Sequence, residues 1–316
     1  MSETPPPPPS DAGKTRRRVL WVVRIVVTVA AFAWILTHVD LFAIASAAQR
    51  VSPFAFLLAC GLLALNLVVS ASRWRAMLVA YGAITMPPFL TLLRLNFVGF
   101  FYNTWLPGGL GGDAVRGVAS REAFGEGGAT GALAVVFVER VLGLVGMLVV
   151  VALTSAFAPL PAGDPRAIAM ASVGGVLVGA IVVGALASGA RIARFLPGPL
   201  ATIAARLPPI RRAGPFVIAV LLSLVTQTLG AVTGHVIVSS LAPQIPLTAS
   251  LVAVPLAMAT SFLPFLVGGT GAREMAFVAL YASVGMPEAD ALAASLLCYA
   301  TQLVVGLFGA FLRVEK

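Results

Sequence analysis

The sequence predicts an all-α integral membrane protein of about six full transmembrane helices plus two re-entrant hairpins inserted from opposite faces, an inverted-repeat architecture. Three observations predict it. Of 316 residues, 59% are hydrophobic and only 10% charged, which is too apolar for a soluble domain and leaves room for several spans. Residues 106–116 read Leu-Pro-Gly-Gly-Leu-Gly-Gly-Asp-Ala-Val-Arg, a composition that no ordinary membrane helix carries into lipid, and 263–274 repeat the theme as Leu-Pro-Phe-Leu-Val-Gly-Gly-Thr-Gly-Ala-Arg-Glu. Finally, the basic residues responsible for the net charge of +9 sit in short stretches between apolar runs, where they report topology and not a nucleic-acid surface.

Residues 1–18 form a tail whose prolines, Pro5 to Pro9, favour a disordered or polyproline conformation. Lys14, Arg16, Arg17 and Arg18 then precede the apolar run 19–37, which places the N-terminus in the cytoplasm. That run lacks a cleavage site, so it reads as a first span with Arg24 snorkelling inward. Residues 38–53 make an external connector, and 54–72 a second span ending at Arg73-Trp74-Arg75, a pattern that suits a cytoplasmic interface.

Pro87-Pro88 opens 89–105, which carries Arg94, Asn96 and Asn103 and runs into the first break. A hairpin that enters from the cytoplasm and returns keeps Arg116 and Arg121 inside; a full crossing would expose both outside. The run 128–157 spans on the order of 45 Å as a helix and contains Glu139-Arg140. A charge at membrane depth costs about 2.5–3.5 kcal/mol on insertion scales. Neighbouring helix positions point about 100° apart, so each of the two seeks a partner on another element.

An external loop at 159–166 leads to a small-residue span, 167–188, and then to Arg191, Arg194, Arg206, Arg211 and Arg212, a cytoplasmic loop without an acid. Residues 215–240 return outward with Gln227 and His235. From 247 the chain re-enters, meets the second break, and runs back through 275–285 to an acidic outer loop with Glu288 and Asp290. The last span, 291–312, ends inside at Arg313 and Lys316. The membrane domain is thus 19–313.

The glycines of the breaks, Gly108, Gly109, Gly111 and Gly112 in the first and Gly268, Gly269 and Gly271 in the second, permit close approach and unusual torsions. A broken helix in a membrane frees backbone polar groups, which is tolerable only inside protein or a wet cavity, so such breaks build sites. Arg116 and Arg273 follow the breaks and present the paired donors that a phosphate accepts. Asp113, Glu139 and Glu274 would balance those charges, bind a head-group amine or exchange protons; Arg140 completes the substrate-binding set. The competing reading is a buried ion-pair network that only fixes helix packing. Cys60 and Cys298 read as small buried hydrophobes, and no metal motif, nucleotide loop or nucleophile-base pattern is present, so no cofactor or metal is expected.

The segment 107–116, the run Glu139-Arg140-Val-Leu-Gly-Leu and the stretch 268–274 together resemble the signatures of the lysylphosphatidylglycerol synthetase transmembrane-region family, and the resemblance covers most of 19–312. It implies a flippase-like fold in which a phosphate-bearing lipid crosses between leaflets, or a hopanoid- or polyprenol-linked lipid in stand-alone relatives. With Lys316 as the last residue, the expectation is a stand-alone membrane domain lacking the aminoacyltransferase domain, not an enzyme. Together these features predict a multi-pass lipid translocase of the inner (plasma) membrane, both termini cytoplasmic, with a lipid phosphate head group as ligand. A second copy of the chain or a lipid-synthesis enzyme is left open as partner. The rivals are a membrane-embedded lipid-modifying transferase and a non-transporting scaffold for lipid or hopanoid biosynthesis.

Overall fold

The computed structural model describes residues 41–105, 111–124, 128–155, 157–158, 165–188, 209–260 and 271–312. The proline-rich tail, the expected first span at 19–37, most of the basic loop after 188 and the break glycines Gly108, Gly109, Gly268 and Gly269 lie outside those residues.

The described chain is helical throughout. A short helix α1 (Leu41–Arg50) precedes α2 (Pro53–Ala80), α3 (Phe89–Trp105), α4 (Gly111–Ala119), a 3₁₀ turn (Arg121–Phe124), α5 (Gly128–Ser155) and α6 (Pro165–Ala187). The second half continues with α7 (Ala213–Leu241), α8 (Leu247–Ala259), α9 (Ala272–Ala282) and α10 (Glu288–Phe311). Among the described residues, α2, α5, α7 and α10 are long and apolar enough to cross a membrane. Helix α2 starts where Ser52 accepts the Ala55 N–H and Pro53 takes the first turn, whose N–H groups have no helical partner.

Both halves follow one order: a long helix, a pair of shorter helices folded back on each other, then another long helix. In the first half Asn96 and Gly99 of α3 lie opposite Arg116 and Gly112 of α4, so these helices are antiparallel. In the second half Tyr281 of α9 donates to Ser250 of α8, whose hydroxyl also lies 2.9 Å from His235 Nδ1 of α7. This chain of hydrogen bonds pins α8 and α9 to α7.

The two pairs open at opposite ends of the bundle. Helices α2 and α7 pack antiparallel: Arg73 meets Ser223, Asn66 donates to the Thr226 carbonyl, and the Arg211 and Arg212 N–H groups both donate to the Ala80 carbonyl. The open end of the α3/α4 pair lies beside Ala80, closed by Ile84 N–H to the Ala123 carbonyl. The open end of α8/α9 lies at the far end of α7, near Arg50 and Asp290, which form an ion pair. Each pair also packs on the closing helix of the other half, α3 on α10 and α8 on α5. Among the described residues two large apolar cores result, one around Trp74, Leu92 and Val138, the other around Ile237, Phe277 and Leu241, with a small third at Val151 and Val252.

Two contacts between α-helix backbones have no clearance. A Cβ on Gly112 would overlap the carbonyl of Gly99, so the α3 and α4 backbones touch there. A Cβ on Gly309 of α10 would meet the Phe97 carbonyl of α3. The spacing of Gly306 and Gly309 thus gives α10 a flat strip on which Phe97, Phe101 and Trp105 rest, as in the small-residue interfaces of membrane helices.

One reading of the sequence requires correction. Arg73 and Trp74 do not stand at a helix end, nor is the indole on a surface: α2 runs on to Ala80, and Trp74 is fully buried. Met77 and Leu78 on the following turn are buried too, so this end of the helix is held in the core and only Arg75 is exposed.

The close contact yields a test. Gly112→Ala is expected to destabilise by at least ~1–3 kcal/mol through overpacking. Gly61→Ala, at a helical glycine with open space around it, is expected to be neutral or stabilising by up to ~1 kcal/mol. Thermal unfolding of the two variants in detergent compares them directly.

Candidate functional site

The first pair of short helices exists to carry charge inward. Helix α4 is nine residues long, and Asp113 and Arg116, three positions apart, share its buried face. Arg116 donates from Nη2 to Asp113 Oδ1 at 3.0 Å and from Nη1 to Asn96 Oδ1 at 3.1 Å. Its Nη1 also lies 3.2 Å from Glu139 Oε2, and its guanidinium carbon sits 5.2 Å from the centre of the Trp74 ring. The guanidinium is thus walled in by two acids, an amide and an aromatic face.

Glu139, 1% exposed, is the hub. Its Oε1 accepts from Arg73 Nε at 3.2 Å and Nη2 at 3.0 Å, while Oε2 faces Arg116. Arg73 Nη1 extends to Ser223 and Thr226 of α7 at 3.4 and 3.3 Å. Arg140, next in sequence, points elsewhere and pairs with Asp113. The expectation that Glu139 and Arg140 find partners on other elements therefore holds. At the tip of α3, Asn103 accepts the Gly112 N–H at 2.8 Å and donates to Asp113. In this way α2, α3, α4, α5 and α7 are joined through five charged side chains.

Arg273 and Glu274 form the second centre. The backbone turns into α9 at Gly271 with φ 87, a conformation suited to glycine. Glu274 accepts the Gly271 N–H at 2.6 Å and pairs with Arg273. Both residues are buried, and the Arg273 guanidinium lies 4.7 Å from the centre of the Tyr299 ring. The Tyr299 hydroxyl in turn donates to the Thr104 carbonyl at 3.4 Å, near the tip of α3. The tips of both helix pairs therefore meet at Tyr299, halfway along α10.

Beside Arg73 of the first centre lies a cavity of about 320 Å³ walled by α2, α7, α8 and α10, with Phe100 of α3. Arg73, Asn66, Ser70, Gln227, Thr301 and Gln302 give it a polar lining, and Pro255, which has no N–H to donate within α8, forms part of the wall. Cys298 and Met258 border it from the second half.

All six charged residues singled out in the sequence are therefore placed in two clusters: Asp113, Arg116, Glu139 and Arg140 in one, Arg273 and Glu274 in the other. Gly111, Gly112 and Gly271 start the helices that carry the arginines. The sequence reading missed Arg73, Asn96, Asn103 and Tyr299 as members. A signal existed for three of them: Asn66, Ser70 and Arg73 form an i, i+4, i+7 polar stripe on an apolar helix, and Asn96 and Asn103 an i, i+7 pair with Gly99 between.

Residues 21–309 match the family model described as "Lysylphosphatidylglycerol synthase TM region". No curated protein matches the chain.

If Glu139 is the hub, removing it strands two buried guanidinium groups. Glu139→Ala is expected to lose about 3–5 kcal/mol of stability. Adding Arg73→Ala is expected to recover at least ~1 kcal/mol relative to the sum of the single changes. A double-mutant cycle read by unfolding in detergent measures that coupling.

Proposed function

The chain belongs to the lysylphosphatidylglycerol synthase transmembrane-region family, and on that premise we propose that it is a lipid translocase whose polar cavity carries the head group of a phosphate-bearing lipid between leaflets. Membership makes it a multi-pass membrane protein of lipid modification or transport. The observation that carries the finer reading is that Arg73 lines the polar cavity while its guanidinium is tied through Glu139 to the buried Arg116, which brings two guanidinium groups together beside that cavity. A phosphate matches guanidinium donors in shape as well as sign.

In this reading Arg73 reaches the lipid first, because it lines the cavity while paired with Glu139. Arg116 and Arg273 hold the phosphate as the pairs around them exchange partners. Asp113, Glu139 and Glu274 balance the guanidinium groups while the cavity is empty, which keeps the cost of the unloaded state low. Arg140, more exposed than the others with 31% of its side chain accessible, shares Asp113 and releases it as Arg116 turns.

The α3/α4 and α8/α9 pairs act as re-entrant hairpins that dip in from the cytoplasmic and outer faces, a membrane placement supported by basic Arg211 and Arg212 beside the first open end and by acidic Glu288 and Asp290 beside the second. The repeated element order and the antiparallel α2/α7 contact support an inverted repeat, the architecture in which substrate binds between two halves near the midplane. The inner membrane, with both termini in the cytoplasm, is the location this orientation fits.

The experiment is a scrambling assay in liposomes holding purified protein and fluorescent phosphatidylglycerol, with dithionite quenching of the outer leaflet. The wild type is expected to expose the inner-leaflet label. Arg73→Gln and Arg273→Gln are expected to slow the exchange at least ~10-fold, about 1.4 kcal/mol in the barrier. Rates equal to wild type in both variants, with unfolding temperatures unchanged, would overturn the cavity assignment.

A further inference from the structure

The cavity beside Arg73 offers more than a guanidinium. Arg73 is the last residue of α2 on its wall, and from there the polar lining turns neutral: Asn66 and Ser70 on α2, Gln227 and Thr233 on α7, Thr301 and Gln302 on α10. Asn66 lies seven positions from Arg73, about 10 Å along the helix. The hydrogen bonds made inside the protein decide which atoms these groups keep. Asn66 and Gln227 each donate one amide N–H to a neighbouring helix, at the Thr226 and Gly143 carbonyls, at 3.1 and 3.0 Å. A carboxamide has two N–H donors and an acceptor oxygen, so each retains a donor and an acceptor beyond that bond. Thr233 and Thr301 donate their O–H to carbonyls of their own helix, at Leu229 and Cys298, which leaves the two hydroxyl oxygens as acceptors. The wall beyond Arg73 is thus a mixed set of donors and acceptors.

From this pattern we infer that the cavity recognises a lipid whose phosphate carries an uncharged, polyhydroxylated head group, a polyol or sugar, with the phosphate at Arg73 and the hydroxyls among the six neutral side chains. The inference rests on the lipid reading above and adds the head group to it. A hydroxyl both donates and accepts, so it meets either kind of group on the wall. An ionised phosphate diester only accepts, and would face the Thr233 and Thr301 oxygens with no proton between them. An ammonium only donates, and would leave the amide N–H groups unmet. Either mismatch carries the cost of a stranded polar group. Size agrees: about 320 Å³ is near the lower end of the range for small-molecule sites, about 300–1,000 Å³, which suits one head group with the acyl chains outside.

The test is native mass spectrometry of the full chain, delipidated in detergent and titrated with four dioleoyl lipids. Phosphatidylglycerol and phosphatidylinositol carry hydroxyls, phosphatidic acid has the phosphate without a head-group alcohol, and phosphatidylethanolamine ends in an amine. Wild type is expected to bind the first two at least ~5-fold more tightly than the others, the effect of about one net hydrogen bond. The variants S70A and Q302L remove side chains that form no hydrogen bond among the described residues, so their loss breaks no helix contact. Both are expected to bring the preference toward parity while leaving the affinity for phosphatidic acid unchanged; standing on different helices, they keep the test decisive should one not fold. R73Q is expected to weaken all four lipids together. Equal binding of phosphatidylglycerol and phosphatidic acid by wild type would overturn the inference and leave the phosphate reading standing, and tightest binding of phosphatidylethanolamine would overturn it in favour of an amine head group. A preference unchanged in both S70A and Q302L would place its source outside the cavity and overturn the inference as well. A preference lost in those variants while R73Q binds as tightly as wild type would keep the head-group site and count against the phosphate assignment of the proposed function alone.

Discussion

The sharing of Glu139 between Arg73 and Arg116 is the interaction on which the first half of the molecule depends. Helices packed among apolar side chains gain little from being neighbours in a membrane, because lipid offers the same apolar environment. Polar contacts and close backbone approach must then decide which helices meet. Glu139 supplies the first on α5, drawing in α2 through Arg73 and α4 through Arg116. The meeting of Gly99 and Gly112 supplies the second by letting α3 follow α4 inward. With these in place, the apolar core around Trp74 and Val138 closes on the same residues from outside.

The second half solves the same problem with less charge. Arg273 and Glu274 are adjacent and pair with each other, so the cluster has no acid on the long helix in the position that Glu139 occupies. An aromatic face, Tyr299 on α10, takes that place beneath the guanidinium. The anchoring is done instead by neutral groups, His235, Ser250 and Tyr281, which join α7, α8 and α9. The two halves share an order of elements and a reciprocal packing scheme while differing in electrostatics: among the described residues, the first cluster joins five charged side chains and the second two.

The breaks were legible because Gly, Pro, Asp and Arg together cannot face lipid, and that argument located both helix pairs with Asp113 and Arg116, while the cost of a charge at membrane depth located Glu139 and Arg140. The partners of Glu139 and Arg140 were foreseeable in kind, from the angle between adjacent helix positions, but not in identity. Arg73 with Trp74 was misread because a base and an indole at the end of an apolar run have the composition of a membrane interface. What distinguishes them is the two further helical turns to Ala80 and the Glu139 waiting across the bundle, and neither is local in sequence. Asn96 and Asn103 are similarly ambiguous, since an amide in an apolar helix gains a role only when the glycine-started α4 comes to lie against it.

The backbone contact between Gly99 and Gly112 has a mechanical consequence. Sliding α3 along α4 would drive side chains on the adjacent turns into a space that admits none, and separating them would leave Arg116 without Asn96 and the Gly112 N–H without Asn103. The pair is therefore stiff against both shear and opening, and its root is held as well, by Ile84 N–H on the Ala123 carbonyl. A displacement of either helix must therefore carry the other with it, and with it the tip, where Thr104 touches Tyr299 and the other half begins.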